Sequence, residues 1–432
     1  MPPKGKAKAK APAQPPLYPV YPRQEQRPSH TALGITPLPA AQLLAAALAA
    51  RVEHAASECL REGRLELDLA ELQLRELPAG ALARLPWLHV LDLSRNELQA
   101  SALFGSGGAL RAGALPELRS LSACHNALVG PLPAALGALA PCLEELSLEG
   151  NLVTEVPGDC AALAALQWVS LASNRLRELP GGVVGAWTAL RHLDLRGNQL
   201  AALPPELARC ALLEELHVTG NELAALPEVW ETPRLAVLCA GQNRLVELPT
   251  GLAACSALEV VDVSGNALTV LPGEVVEGWQ RLRELFCSGN ALAFLPEQLG
   301  QLGALEVLAA AGNQLTALPA ALGRCGALRE LYLGGNKGLA ALPEGVAGWA
   351  GLHTLSLRAC KFKTLPLECA EWRGLEHLDA RGAKKNILKM PEVVYEALSK
   401  HVGSLQGALG PGSRAGVAGV QKAKKAKGAG GK

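Results

Sequence analysis

Between Leu143 and Pro157 the chain reads LEELSLEGNLVTEVP, with apolar residues at 143, 146, 148, 152, 153 and 156. Leu146 and Leu148 flank Ser147 with the period of two of a short strand that buries one face. Outside that strand the apolar positions lie three or four residues apart. The phrase returns along most of the chain. Aligned on its asparagine it gives Asn96, Asn126, Asn151, Asn174, Asn198, Asn221, Asn243, Asn266, Asn290, Asn313 and Asn336, and from Asn151 onward the interval stays between 22 and 24 residues. Carried outward, the register adds three looser units with Leu72, Cys360 and Ala383 at the asparagine position, fourteen in all across residues 64–390. A fixed period of this length predicts a solenoid in which each unit is one layer.

Each unit is close to LxxLxxLxLxxNxLxxLPxxL. The strands are expected to pair in parallel into one sheet, thirteen gaps at about 4.8 Å giving a concave arc on the order of 60 Å. Asparagine carries both donors and an acceptor, so a column of them satisfies the backbone where each strand turns out of the sheet. The proline after the leucine fixes φ and removes a donor, and the following xxLxxL reads as a short helical or extended return on the outer side. An end unit has no neighbour to cover its leucines. Residues 38–63 read as an amphipathic N-terminal capping helix, with Leu43, Leu44, Ala47, Leu48, Val52 and Ala55 on one face and Gly63 as its stop. Residues 391–402 read as a C-terminal capping helix from Pro391, with Val394, Tyr395 and Leu398 packing back.

The phrase resembles the leucine-rich repeat. Its LP-rich form is similar to the intracellular class found in Ras-pathway scaffolds and plant intracellular Ras-group proteins. The resemblance implies an α/β repeat solenoid, a horseshoe with a concave parallel sheet, acting as a signalling adaptor. It transfers no binding residues, because the shared motif is structural and the concave positions vary. An MPPKGK opening before such repeats is also similar to algal axonemal proteins.

About half the residues are apolar but only 3% are aromatic, so the layers must be built from Leu, Val and Ala. The net charge of +1 conceals a division. Residues 1–37 carry six Lys/Arg against one acid and 403–432 carry six against none; removing these from totals of 41 and 40 leaves 29 basic and 39 acidic, a body near −10. Both ends are expected to be disordered basic tails, with Lys4, Lys6, Lys8, Lys10, Lys422, Lys424, Lys425 and Lys427 available to an acidic partner such as tubulin tails, RNA or anionic lipid. No aromatics lie among the lysines, which argues against sequence-specific nucleic-acid recognition.

No run of 18 apolar residues occurs, and the N-terminus lacks the apolar segment of a signal peptide, so a cytoplasmic location is expected, with the cytoskeleton, axoneme or nucleus as alternatives. Of eleven cysteines, Cys210, Cys255 and Cys325 share one repeat position and Cys160 and Cys369 another, which is cysteine used as a small buried hydrophobe. There is no CxxC pair.

No phosphate-binding loop, nucleophile elbow or HExxH motif appears, and no enzyme activity, cofactor or metal is expected. GSGG at 105–108 lies in the one long insertion, between Asn96 and Asn126, and reads as a rim loop. Function is therefore sought on the concave face, at the positions alternating with the strand leucines. His192, Asp194 and Arg196 fall on one strand and Glu215, His217 and Thr219 on the next, a set able to hold a metal or pair an acid with a base. On strands open to water it reads as a charge-paired face. Further along, Phe286 and Tyr332 share a column with Ala309 between them, beside Val237, Val260 and Val307 with Cys239 and Gly241, which predicts an exposed apolar contact site for a protein partner. Trp168 belongs to the same face. Glu66, Asp68, Glu145 and Glu149 make its N-terminal third acidic, and Arg358, His377 and Arg381 its far end basic, so charge would orient the partner. Trp187, Trp279, Trp349 and Trp372 share an outer position and read as layer filler. The expected function is a monomeric protein-binding scaffold. Its partner would be a small-GTPase-pathway, cytoskeletal or phosphatase component; the alternatives are a structural part of an axonemal assembly or a phosphatase or kinase regulatory subunit.

Overall fold

A computed structural model describes residues 41–409 apart from 79, 105–109, 111–114, 140, 383–387, 401, 403 and 407. The lysine-rich tails and the GSGG loop lie outside the described residues. One parallel sheet of fifteen three-residue strands runs in chain order from Glu66–Asp68 to Ser404–Gln406. Register is unbroken: Leu67 pairs with Leu91, Leu193 with Leu216, Leu285 with Leu308. The middle residue of each strand from Leu67 to Leu378 points into the core, almost wholly shielded from solvent. One-face burial follows from the period-two pattern, because a slip by one residue would turn every such leucine to water.

The asparagine column ties each layer to the one before. Asn221 Nδ2 donates to the carbonyls of Leu195 (2.9 Å) and Val218 (3.0 Å), while its Oδ1 accepts the Leu200 N–H (3.0 Å). The other ten make the same exchange, from Asn96, whose Oδ1 accepts from Leu72 and Leu74, to Asn336, whose Oδ1 accepts from Leu315. At the degenerate position the Cys360 thiol reaches the Leu333 carbonyl (3.2 Å), the partner an asparagine donor would take. The residue before each asparagine has positive φ: glycine at seven units (Gly312, +66°) and Arg95, His125, Ser173 and Gln242 at the others.

Behind the LP, short 3-10 or α turns such as Pro205–Arg209 and Gly273–Gly278 form the outer layer. Trp187, Trp279, Trp349 and Trp372 are fully buried there, and each indole N–H donates to a backbone carbonyl of the preceding unit: Cys160, Leu252, Leu322 and Val346, at 2.8–3.1 Å. Cys325, at the same repeat position, uses its thiol likewise on the Leu299 carbonyl (3.2 Å). The position fills space and also supplies a donor. No disulfide joins any of the eleven cysteines, and burial pushes the thiols of Cys160, Cys210 and Cys325 up to about 11, which makes them inert.

The helix Ala41–Glu62 covers the first layer through Val52, Ala56 and Cys59, with Leu48 and Ala55 packed beside them. The other end departs from expectation. Glu392–Ser399 is a helix that buries Val394 and Leu398, with Tyr395 packed against the core, but it does not close the edge. The chain continues into Ser404–Gln406, which pairs with His377–Asp379, and Ala408–Leu409, which pairs with Leu388–Lys389. The helix is thus the outer return between the fourteenth and fifteenth strands, and part of the stretch assigned to a tail is strand. The open edge of His377–Asp379 offers unpaired backbone groups, which a three-residue strand satisfies without needing an asparagine.

Candidate functional site on the concave face

Each strand presents its first and third residues to the concave side, giving two columns with different exposure. In the third-position column, from His217 through Cys239, Asp262, Phe286 and Ala309, every side chain is buried. Phe286 is only 7% exposed, in register between Asp262 and Ala309. It is not the exposed anchor expected from sequence, because side chains on the inside of an arc are crowded from both neighbouring strands. Tyr332 is half-buried, and its hydroxyl donates to Glu330 Oε2 (2.7 Å), so it too is engaged within the sheet. The structure keeps the two in one column but does not open a hollow between them.

Aspartates recur at the third position, and they hold the backbone. Asp68, Asp92, Asp194, Asp262 and Asp379 each accept the N–H two residues ahead at 2.9–3.2 Å. Asp194, 3% exposed, also grips Arg196 through both carboxylate oxygens, and Asp379 grips Arg381 in the same way. Asp194 and Arg381 were expected to meet a partner; both are committed within their own strand ends. Burial pushes the Asp262 carboxyl above its usual range, partly offset by hydrogen bonds from Ser264.

The first-position column stays open. Trp168, His192, Glu215, Val237, Val260, Glu284, Val307 and Glu330 follow one another across successive strands, each half-buried. Glu284 and Glu330 were overlooked from sequence, although they occupy the same strand position as the valines on either side. Burial, together with the Glu330 and Glu306 charges and against the pull of Arg283, raises the Glu284 carboxyl. The apolar patch is therefore a strip of valine divided by carboxylates. Glu145 and Arg358 are exposed, Glu145 accepting the Ser120 hydroxyl (2.9 Å), and Glu149 is half-buried.

One group on this column is drawn tightly together. The Glu215 carboxylate accepts from His192 Nδ1 (2.9 Å) and His217 Nε2 (3.2 Å) on a single oxygen, Oε2. Trp168 stacks on the His192 ring with centroids 5.1 Å apart and planes 9° from parallel, and the two imidazole centroids are also 5.1 Å apart. The hydrogen bonds from His192 and then His217 hold the Glu215 carboxyl well below the usual carboxylate range. Asp194, expected from sequence to join this set, faces Arg196 instead.

The leucine rich repeat family matches residues 164–223. The chain is 36% identical over 134 residues to transforming growth factor beta activator LRRC32 of Pongo abelii, a match covering 29% of this chain and 18% of that protein. It is 34% identical over 180 residues to podocan-like protein 1 of Homo sapiens (32% and 35%). It is 32% identical over 123 residues to human PH domain leucine-rich repeat-containing protein phosphatase 1 (27% and 7%). The chain thus spans under a fifth of the LRRC32 it matches. Among solved structures, a leucine-rich-repeat protein of Leptospira interrogans superimposes with a TM-score of 0.65 at 27% identity, over 81% of this chain and 93% of that one. Listeria monocytogenes InlJ gives 0.60 at 20% identity, over 76% and 67%, which is a likeness of fold alone. The repeat phrase, the asparagine column, the fifteen-strand sheet and these matches agree, and the chain has the open solenoid fold of leucine-rich-repeat proteins.

Proposed function

We propose that this protein is a non-enzymatic scaffold that binds a protein partner on its concave face and acts as a signalling adaptor inside the cell. The observation that carries the reading is the contrast between columns. From Ser170 to Ala309 the third-position column is buried, whereas the first-position column from Trp168 to Glu330 is half-open and mixes valine with carboxylate. A partner suited to this strip offers apolar side chains interleaved with basic ones. An intracellular setting is favoured by eleven cysteines outside any disulfide, ten of them buried or half-buried. Among the described residues no helix is long and apolar enough to cross a membrane.

The Ras-pathway adaptor role rests on the LP-rich resemblance. A regulatory role toward a phosphatase has a separate support, the match to part of a leucine-rich repeat-containing protein phosphatase. Both use the same surface. The test is affinity capture from the native cell with wild-type protein and the double variant Val260→Asp, Val307→Asp, partners being identified by mass spectrometry. Both valines are half-exposed, so the fold should survive. Loss of a specific protein supports the reading, and its identity separates adaptor from phosphatase subunit. Unchanged recovery of every partner would refute it.

A further inference from the structure

Among the described residues, one set of side chains is arranged to share a cation: His192, Glu215 and His217, whose nitrogen and oxygen atoms all lie within 4.8 Å of one another. We propose that this trio is a binding site for a divalent first-row transition metal such as Zn2+, held at the concave surface with an open coordination position. Two imidazoles and a carboxylate form a donor set that suits such ions and not Ca2+ or Mg2+, which prefer oxygen throughout. The same composition occurs in open three-ligand zinc sites, where water or another group takes the fourth position.

The geometry fits without rebuilding. With metal–ligand bonds of about 2.0–2.1 Å, the edge of a tetrahedral site is roughly 3.3 Å. Here the edges from Glu215 Oε2 to His192 Nδ1 and His217 Nε2 are 2.9 and 3.2 Å and need to lengthen by a few tenths of an ångström, while the remaining edge, between the two imidazoles, lies within 4.8 Å and is adjusted by turning the half-exposed His192 ring. Their backbone is fixed, because His192 pairs directly with Glu215, and Asp194 with His217, in adjacent strands. Trp168 orients the His192 ring from the other side.

The charge around the trio is also favourable. Arg196 is held by both oxygens of Asp194, and Arg191 pairs with Glu214 at 2.6 Å. Both guanidinium groups flanking the His192 strand are thus compensated by acids other than Glu215, whose carboxylate meets only the two imidazoles among the described residues. His192 and Glu215 are half-exposed, which gives the ion an entry path and leaves one side open toward the concavity. The metal site does not depend on the protein-binding reading. Where both hold, the open position is where a partner's histidine or carboxylate would enter.

The test uses the full chain, stripped with chelator, in a Cys142→Ser background that removes the exposed thiol. Zn2+ binding is followed by competition with a chromophoric chelator near neutral pH, and Co2+ by its visible spectrum. The expected result is one Zn2+ per chain and cobalt ligand-field bands without thiolate charge transfer. His192→Asn and Glu215→Gln, each altering a half-exposed side chain, should leave circular dichroism unchanged and weaken Zn2+ by more than about a hundredfold, beyond what loss of a mere supporting contact produces. Absence of stoichiometric binding, undiminished affinity in either variant, or a thiolate band would each overturn the proposal.

Discussion

Replacing Asn221 by alanine removes one of the ties between layers, and the structure sets its size. Three hydrogen bonds are lost, two donated to the Leu195 and Val218 carbonyls and one accepted from the Leu200 N–H. Alanine supplies no substitute, and Asn221 is 8% exposed, so water reaches the orphaned groups poorly. At about 1 kcal/mol net for each bond, the loss is about 3 kcal/mol, and more where a group stays dry. Because each layer contacts only its neighbours, the effect should be local. Hydrogen exchange followed by mass spectrometry should show the Leu200 amide exchanging about a hundredfold faster. The Leu268 amide, bonded to Asn290 Oδ1, should keep its protection. Asn221→Asp refines the test, since it keeps the acceptor while facing two carbonyl oxygens with a group that cannot donate when ionised. That carboxyl would be raised, so its cost is present at neutral pH and eases as the pH falls toward the unfolded value. Protection at Leu200 within about threefold of wild type in Asn221→Ala would refute the idea that the column binds the layers together.

Three further outcomes follow from the same geometry. Gly312→Ala should cost about 1 kcal/mol in thermal melts, because φ is +66° and the new Cβ would meet only ordinary contact with Gly289 N at 3.6 Å, leaving backbone strain as the sole cost. Trp279→Phe removes the bond to the Leu252 carbonyl and leaves a small cavity at a fully buried site, and a loss of about 2 kcal/mol or more is expected from denaturant titration; no loss would refute a role for the indole in holding the outer layer. Asp262→Asn should stabilise the protein at neutral pH. Burial raises this carboxyl, so its ionised form opposes folding above the folded pKa; that cost is relieved as pH falls, and the variant's advantage in chemical denaturation should vanish toward about pH 4.

The period, the strand and the asparagine ladder were legible because each depends on residues within one unit. The left-handed residue before the asparagine was equally available, since glycine stands there in seven of eleven units, but Arg95, His125, Ser173 and Gln242 hid the pattern. The fifteenth strand was not legible. Its SLQ has no asparagine after it and is ordered by pairing with the strand His377–Asp379 one layer back. Burial of Phe286 was missed for a related reason, because concave exposure depends on the residues placed beside it by neighbouring strands. The histidine–glutamate group was found from sequence as a neighbourhood, but which acid it contains was decided by the Asp194–Arg196 fork.

That fork changes how the concave face should be read. An aspartate at the third strand position meets a backbone N–H at 68, 92, 194, 262 and 379, so its charge there serves the turn out of the sheet. Where an arginine follows two residues later, as at 196 and 381, the aspartate neutralises it as well. Counting concave charges from sequence therefore overstates the field a partner would meet, and the basic end expected from Arg358, His377 and Arg381 loses one of its cations to Asp379. The first-position column has no such duty to the backbone. Its side chains differ from strand to strand while the register beneath them does not, and selectivity for one partner over another can vary there without disturbing the layers.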